Sequence, residues 1–401
     1  MPSTTQPHST ALLLTLLVIT SLTILAGATI APALPAIRNH FATMPAVDIL
    51  TRLLLTVPAL AIALLAPAAG WFIDRYGCRK ILLLSIVLYA AAGTAGLYLD
   101  SLLAIIVSRG LLGMAVAGTL TSATTLIGDN FAGAERNRVL GLQSAFVASS
   151  GVVFLLAGGA LAEIGWRAPF FLYALAIPIL PLAISVVRDP TLALSADEAP
   201  PPHERVEVRV VLFVVAIYVV SFLFQVAFYM VPVQLPFFLG ELGVNDPSRV
   251  GAALSTMTLC AAIVAFQFRR IQSVLDRTVI LAISLSMLGI GFLLVSRATS
   301  FPEVIAALVV IGCGAGLNFP NLMSWLMART PQPVRGRIVG GLTTALFLGQ
   351  FFSPIASHPF VESGGLSHGY RMMGIFMGVL ALVAFVSSVL KPFQSRRSPG
   401  S

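Results

Sequence analysis

The sequence predicts an all-α membrane protein of twelve transmembrane helices arranged in two six-helix halves. Three observations carry this. Of the 401 residues, 57% are hydrophobic and only 10% are charged, which leaves too little polar surface to cover a water-soluble globule. Twelve long apolar runs recur along the chain, and a helix needs roughly 20 apolar residues to cross a hydrocarbon core about 30 Å thick. A short motif also repeats half a chain later: Arg136-Asn137-Arg138-Val139-Leu140-Gly141 resembles Arg335-Gly336-Arg337-Ile338-Val339-Gly340 at an offset of 199 residues. At that offset Gly113 falls on Gly312 and Ser144 on Thr343.

In order, the spans of the first half are expected at 11–34, 49–70, 81–99, 101–127, 138–162 and 168–187. Those of the second half are expected at 208–238, 250–268, 278–296, 302–327, 337–357 and 371–390. Their apolar runs are continuous, whereas strands of a membrane barrel would be short and alternating. The first run, Ala11 to Ile37, has no Lys or Arg ahead of it and is too long for a cleaved signal segment. The longest polar interruption, Arg188 to Arg209, carries Pro190, Pro200, Pro201 and Pro202 among mixed charges. It reads as a cytoplasmic linker over 188–209 between halves 1–187 and 210–401. Elsewhere the loops are short, so sequential helices become neighbours. Parallel repeats of this kind place a solute site at their interface near the bilayer midplane.

The formal charge of +8 raises the question of an anionic partner, which the distribution of the basic residues answers. With both termini on one side, seventeen of the 24 Lys and Arg fall in the loops and tails of that side, Arg75, Arg79, Lys80, Arg136 and Arg335 among them. Six lie opposite: Arg38, Arg52, Arg167, Arg249, Arg297 and Arg371. Positive charge stays cytoplasmic during insertion, so both ends are expected in the cytoplasm. No nucleic-acid partner is needed to explain the excess. Cys78, Cys260 and Cys313 are few and scattered, which supports neither a disulfide framework nor a metal site.

The sharpest local motif lies between spans two and three, in Gly70-Trp71-Phe72-Ile73-Asp74-Arg75-Tyr76-Gly77-Cys78-Arg79-Lys80. A glycine at 70 allows close helix approach, Gly77 allows a turn that a side chain would obstruct, and Asp74 can accept from a helix N-terminus. This loop resembles the signature G-x-x-x-D-[RK]-x-G-x-[RK]-[RK] of the major facilitator superfamily, with every specified position met. The resemblance extends over the whole chain through span count, linker and repeat, and implies the major facilitator fold. It further implies that Asp74 faces span eleven, that Arg79 or Lys80 pairs with Asp129 at the end of span four, and that Gly70, Asp74, Arg75, Gly77, Arg79, Lys80 and Asp129 form a cytoplasmic latch. The corresponding loop of the second half, Arg269 to Arg277, keeps its basic charge without the glycines.

Arg109 is the one basic residue well inside a span, the others lying in loops or within a few residues of a span end. A guanidinium there costs about 2.5–3.5 kcal/mol on insertion scales unless it finds partners, so it is expected to face the interior. At about nine residues from Asp100 it could instead snorkel outward. Arg109-Gly110-Leu111-Leu112-Gly113 resembles the span-four motif R-x-x-x-G of proton-linked family members, which implies a coupling role for Arg109 and Gly113. The glycine pattern of exporters in span five is met only in part: Gly141, Gly158 and Gly159 fit, while Ser150, Phe154 and Leu155 stand in the remaining places. Gly165-Trp166-Arg167, Phe170 and Ala33-Leu34-Pro35 also resemble the drug/proton antiporter branch. No span carries Asp or Glu in its central part. The nearest acids are Asp48, one turn from Arg52 and read as an interfacial ion pair, and Glu163 at the end of span five.

Without a central acid, solute contacts fall to uncharged groups. Tyr218, Ser221, Gln225, Phe228 and Tyr229 share roughly one face of span seven. Asn318 and Asn321 on span ten and Gln350 on span eleven add hydrogen-bonding groups that could equally tie helices together. The candidate cavity set is Gln225, Tyr229, Asn318, Asn321 and Gln350. No H-E-x-x-H, G-x-S-x-G or P-loop is present, and no enzymatic activity or cofactor is expected. The resemblance implies a monomeric inner-membrane exporter of a small amphiphilic molecule, coupled to protons. The alternatives are an importer or facilitator of an organic solute, and a non-transporting membrane sensor.

Overall fold

A computed structural model describes residues 8–131, 133–188, 207–331 and 334–395. The expected linker lies almost wholly outside them. Among the described residues all regular structure is helical, and eleven stretches are long and apolar enough to cross a bilayer. They are Thr10–His40, Val47–Tyr76, Cys78–Leu97, Leu102–Asn130, Arg138–Ile164, Ala168–Val186, Val208–Glu241, Pro247–Gln272, Arg277–Val295, Phe301–Arg329 and Arg335–Ser388. The last is two helices in one, interrupted at Gly364 and Gly365, where Gly365 has φ 79° and ψ 179°. That backbone is essentially reserved for glycine, and it divides the stretch into spans eleven and twelve. Twelve helical spans result, numbered one to twelve below.

Two spans depart from regular α-helix where proline dictates it. Span one tightens to a 3₁₀ turn at Ala31–Ala33, around Pro32, before continuing as Leu34–His40. Span six opens as a 3₁₀ helix, Ala168–Leu175, with Pro169 near its start, and becomes α-helical at Ala176–Val186. Proline has no N–H to give the ladder, and both prolines stand at the first positions of their 3₁₀ segments, where that N–H would lack an intrahelical partner. Many hydroxyls are satisfied within their own helix: Thr51 Oγ1 donates to Val47 O at 2.7 Å and Ser221 Oγ to Ile217 O at 2.7 Å, which spares them an unpaired polar group in hydrocarbon. Leu84, Val107, Phe171, Leu382 and Val383 remain more than half exposed, a surface suited to lipid and not to water.

The described chain divides into two compact units. One holds the residues up to 188 with Asp246–Ala252, the other 207–245 with the residues from 253 onward. In the first unit span two packs on span four, span three on span four, and span one on span five. In the second, span nine packs on span ten, span seven meets span eleven at Gly349, and span nine meets span twelve at Gly374.

The packing within each unit repeats at the same offset as the sequence. A Cβ placed on Gly113 would collide with the carbonyl oxygen of Pro58, and one placed on Gly312 with that of Met257. Residues 58 and 257, like 113 and 312, are 199 apart. Membrane helices gain little from burying apolar surface against one another, and close backbone approach through small residues supplies the contact instead. The repeated arginines behave alike as well. Arg335 Nη2 donates to Met327 O and Thr330 O at 3.2 Å each. The Arg136 guanidinium lies 3.6 Å from where a Cβ of Gly128 would stand, and 128 precedes 327 by the same 199 residues. Each cation thus sits at the C-terminal end of the preceding span, where the helix dipole favours it.

Candidate functional site

The signature loop turns on Gly77, whose φ of 91° and ψ of 146° end span two and start span three without a side chain in the way. Cys78, immediately after it, is buried with its Sγ 3.4 Å from Ser122 O. Asp74, Arg75 and Lys80 are exposed and Arg79 is half-buried. The Arg79 guanidinium donates to Ile184 O at 2.9 Å, which ties the loop to the end of span six. Asp129 is exposed at the end of span four and, within its own unit, forms no ion pair with Arg79 or Lys80 among the described residues. Within the same unit nothing lies within 4 Å of a Cβ added at Gly70, so the close approach expected of that glycine is not made there.

Arg109 is fully buried, and the outward route is not taken. One Nη2–H donates to Ala26 O of span one at 2.5 Å, and the guanidinium carbon stands 4.9 Å from the centre of the Tyr173 ring of span six. Tyr173 is itself completely buried and lies 6.0 Å, centre to centre, from Tyr89 of span three. Tyr89 Oη donates to Leu22 O at 2.7 Å, four residues before the carbonyl that Arg109 uses. Spans one, three, four and six therefore converge on one polar cluster in the first unit. The Nε and Nη1 of Arg109 reach no carbonyl or carboxylate, and the Tyr173 hydroxyl, beside the guanidinium, donates to no protein acceptor. Gly113, one turn along span four, supplies the close contact with span two described above.

At the start of span two, Asp48 pairs with Arg38 Nε at 2.5 Å and lies 4.0 Å from Arg52 Nη1. The Asp48–Arg52 pair expected from spacing is thus joined by a second arginine, ten residues upstream and beyond any helical periodicity. Glu163 is exposed.

In the second unit the polar candidates serve several ends. Tyr218 Oη donates to Ile338 O at 2.6 Å, and Asn321 Nδ2 donates to Arg277 O at 2.9 Å; both tie one span to another. Asn318 and Asn321 are buried and each leaves its Oδ1 without a partner, while Gln350 and Tyr229 are nearly buried. Gln225 is half-buried beside Gly349, and Phe228 stacks on Phe224 at 6.0 Å. Spans seven, eleven and twelve also border a half-open apolar groove of about 320 Å³, lined by Phe222, Val226, Phe352, Phe360, Met373 and Phe376 among others. None of the polar candidates lines it. Its aromatic and methionine residues are indistinguishable in sequence from ordinary membrane-helix side chains, so no motif could have singled them out.

The fold and the two sets of buried polar groups define an integral, multi-pass helical membrane protein of the transporter type. The Major Facilitator Superfamily model matches residues 16–354 and 221–401, and the chain belongs to that family. It is 24% identical over 348 residues to the cis,cis-muconate transport protein of Acinetobacter baylyi, covering 81% of this chain and 83% of that protein. It is 30% identical over 132 residues to multidrug resistance protein 2 of Bacillus subtilis, covering 32% of this chain and 33% of that one. With the latter, as with two other curated relatives, the match spans less than half of the relative's own length. A solved nucleoside transporter shares the fold with a TM-score of 0.75 at 12% identity, over 94% of this chain and 99% of that one.

Proposed function

We propose that the chain is a proton-coupled secondary transporter of a bacterial inner membrane, both termini cytoplasmic, which exports a small amphiphilic molecule by alternating access. The observation that carries this reading is Arg109, a fully buried cation with most of its donors unused in the middle of a four-span cluster. Membrane proteins keep such groups where charge must move or be recognised. The Arg-x-x-x-Gly spacing with Gly113, the seventeen-to-six bias of basic loops and the partial likeness to the multidrug resistance protein add support. In the same reading Asp74, Arg79 and the turn at Gly77 act as a cytoplasmic latch. Gln225, Tyr229, Asn318, Asn321 and Gln350 hold the solute, and one chain works alone.

Inverted vesicles test direction and energy source together. Acidifying the lumen is expected to drive inward accumulation of amphiphilic cargo, and Arg109→Gln to abolish it. Failure of a lumenal proton excess to drive uptake of any exporter cargo would sink antiport. A second reading, import of an organic acid, is favoured by the likeness to the cis,cis-muconate transport protein over four-fifths of both chains. Under it, right-side-out vesicles accumulate the acid when the outside is acidic.

A further inference from the structure

Among the described residues of its unit, the charge on Arg109 has no counter-ion. Among the described residues every Asp and Glu of the spans lies at a span end, as Asp48, Glu163, Glu241 and Glu303 do, and Arg109 takes part in no ion pair. Its single hydrogen bond, to Ala26 O, uses one of five N–H donors. A buried unpaired charge is strongly destabilising, whereas a carboxylate on a guanidinium recovers much of that cost through short charge-assisted bonds. The four free donors include Nε–H, both Nη1–H and the second Nη2–H, so one edge of the guanidinium still presents two parallel donors. The Tyr173 hydroxyl, fully buried beside the guanidinium and donating to no protein acceptor, belongs to the same cluster and adds a third donor. Its ring, beneath the guanidinium, stabilises the cation without neutralising it.

From this geometry we infer that Arg109 and Tyr173 form a site for one monovalent anion, supplied by a carboxylate on the transported molecule or by free chloride. The inference rests on the transport reading and narrows its cargo to amphiphiles that carry an acid group.

The test uses the purified full chain in chloride-free sulfate buffer, titrated with benzoate, hexanoate, benzamide, hexanamide and sodium chloride while thermal unfolding is followed. A saturable rise in midpoint with the two carboxylates and not with the amides is expected. Arg109→Gln should weaken the apparent Kd at least about tenfold, the scale of one charge-assisted bond. Tyr173→Phe, which keeps the ring and removes only the hydroxyl, should weaken it several-fold and guards against a folding defect in the arginine variant. A shift with chloride alone, lost in Arg109→Gln, assigns the site to the free ion. Equal responses to amides and acids, unchanged affinity in both variants, or no response to any anion would overturn the site. Proteoliposomes separate this failure from that of the transport reading. Uptake of tetraphenylphosphonium with no anion response leaves a transporter without the anion site, and anion binding with no solute flux leaves the site without a transporter.

Discussion

Replacing Gly113 or Gly312 by alanine tests the packing that repeats in both units. On Gly113 the new methyl would stand 2.7 Å from Ala61 Cβ and 2.8 Å from Pro58 Cα, and closer still to the Pro58 carbonyl. Carbon atoms rest at about 3.5–4.0 Å, so spans two and four must part by roughly 1 Å. A gap of 0.5–1 Å forfeits about a quarter to a half of the dispersion energy along the interface, and forced overpacking costs about 1–3 kcal/mol. Against this, alanine recovers about 1 kcal/mol of helix propensity. Because the obstructing atoms are backbone, the loss lies at the upper end and the net effect is a destabilisation of about 1–2 kcal/mol. At Gly312 the methyl would meet Cys260 Cβ at 3.0 Å and the Met257 carbonyl carbon at 3.1 Å, a slightly smaller loss. Gly141 and Gly340, also 199 apart, have nothing within 4 Å. Their alanine variants should gain up to about 1 kcal/mol from propensity alone. Fluorescence-detected size exclusion after heating reads all four: Gly113→Ala and Gly312→Ala melt below the parent protein, Gly141→Ala and Gly340→Ala at or above it. Equal midpoints for Gly113→Ala and Gly141→Ala would refute the packing argument.

Three further predictions concern the loops and span ends. Gly77→Ala places a side chain on a φ of 91°, at a cost of about 1–3 kcal/mol, visible as a lowered melting midpoint; a rise would contradict the turn. Ala46, with φ 57°, is the only non-glycine with positive φ among the described residues. Ala46→Gly should relieve about 1 kcal/mol of left-handed strain and raise the midpoint, against a smaller entropic loss. Asp48→Asn removes the carboxylate that faces Arg38 and the buried Arg52, and should cost about 1–3 kcal/mol. Arg38→Gln breaks only the half-exposed pair and should cost at most about 1 kcal/mol. Comparable melting of the two variants would show that Arg52 does not depend on Asp48.

The spans were legible because hydrophobic length is a local property, and the ten single-span stretches stand within six residues of their expected limits. The last loop, between spans eleven and twelve, was legible in place but not in form: it is a sharp break at Gly364 and Gly365 within otherwise continuous helix. Glycine pairs mark turns in water, yet in a membrane helix they equally mark packing. Arg109 announced itself, since a charge in hydrocarbon is rare. Its companions did not. Tyr173 and Tyr89 lie 64 and 20 residues away in sequence, and a tyrosine inside an apolar run carries no pattern that distinguishes it from core. Asn321 reads as a solute ligand by type, and the structure adds that its Nδ2 donates to Arg277 O while its Oδ1 keeps no partner. Gly70 shows the converse: its motif position implies a close contact that its own unit does not contain.

The central claim is that this carrier couples solute movement to protons through Arg109. Proteoliposomes loaded with a pH-sensitive dye, pulsed from outside with hexanoate and with hexanamide as the neutral control, the signal of protein-free liposomes subtracted, measure it most directly. The account predicts solute-dependent proton movement in the parent protein, near-complete loss in Arg109→Gln and partial retention in Tyr173→Phe. Proton movement of full amplitude in Arg109→Gln would contradict it.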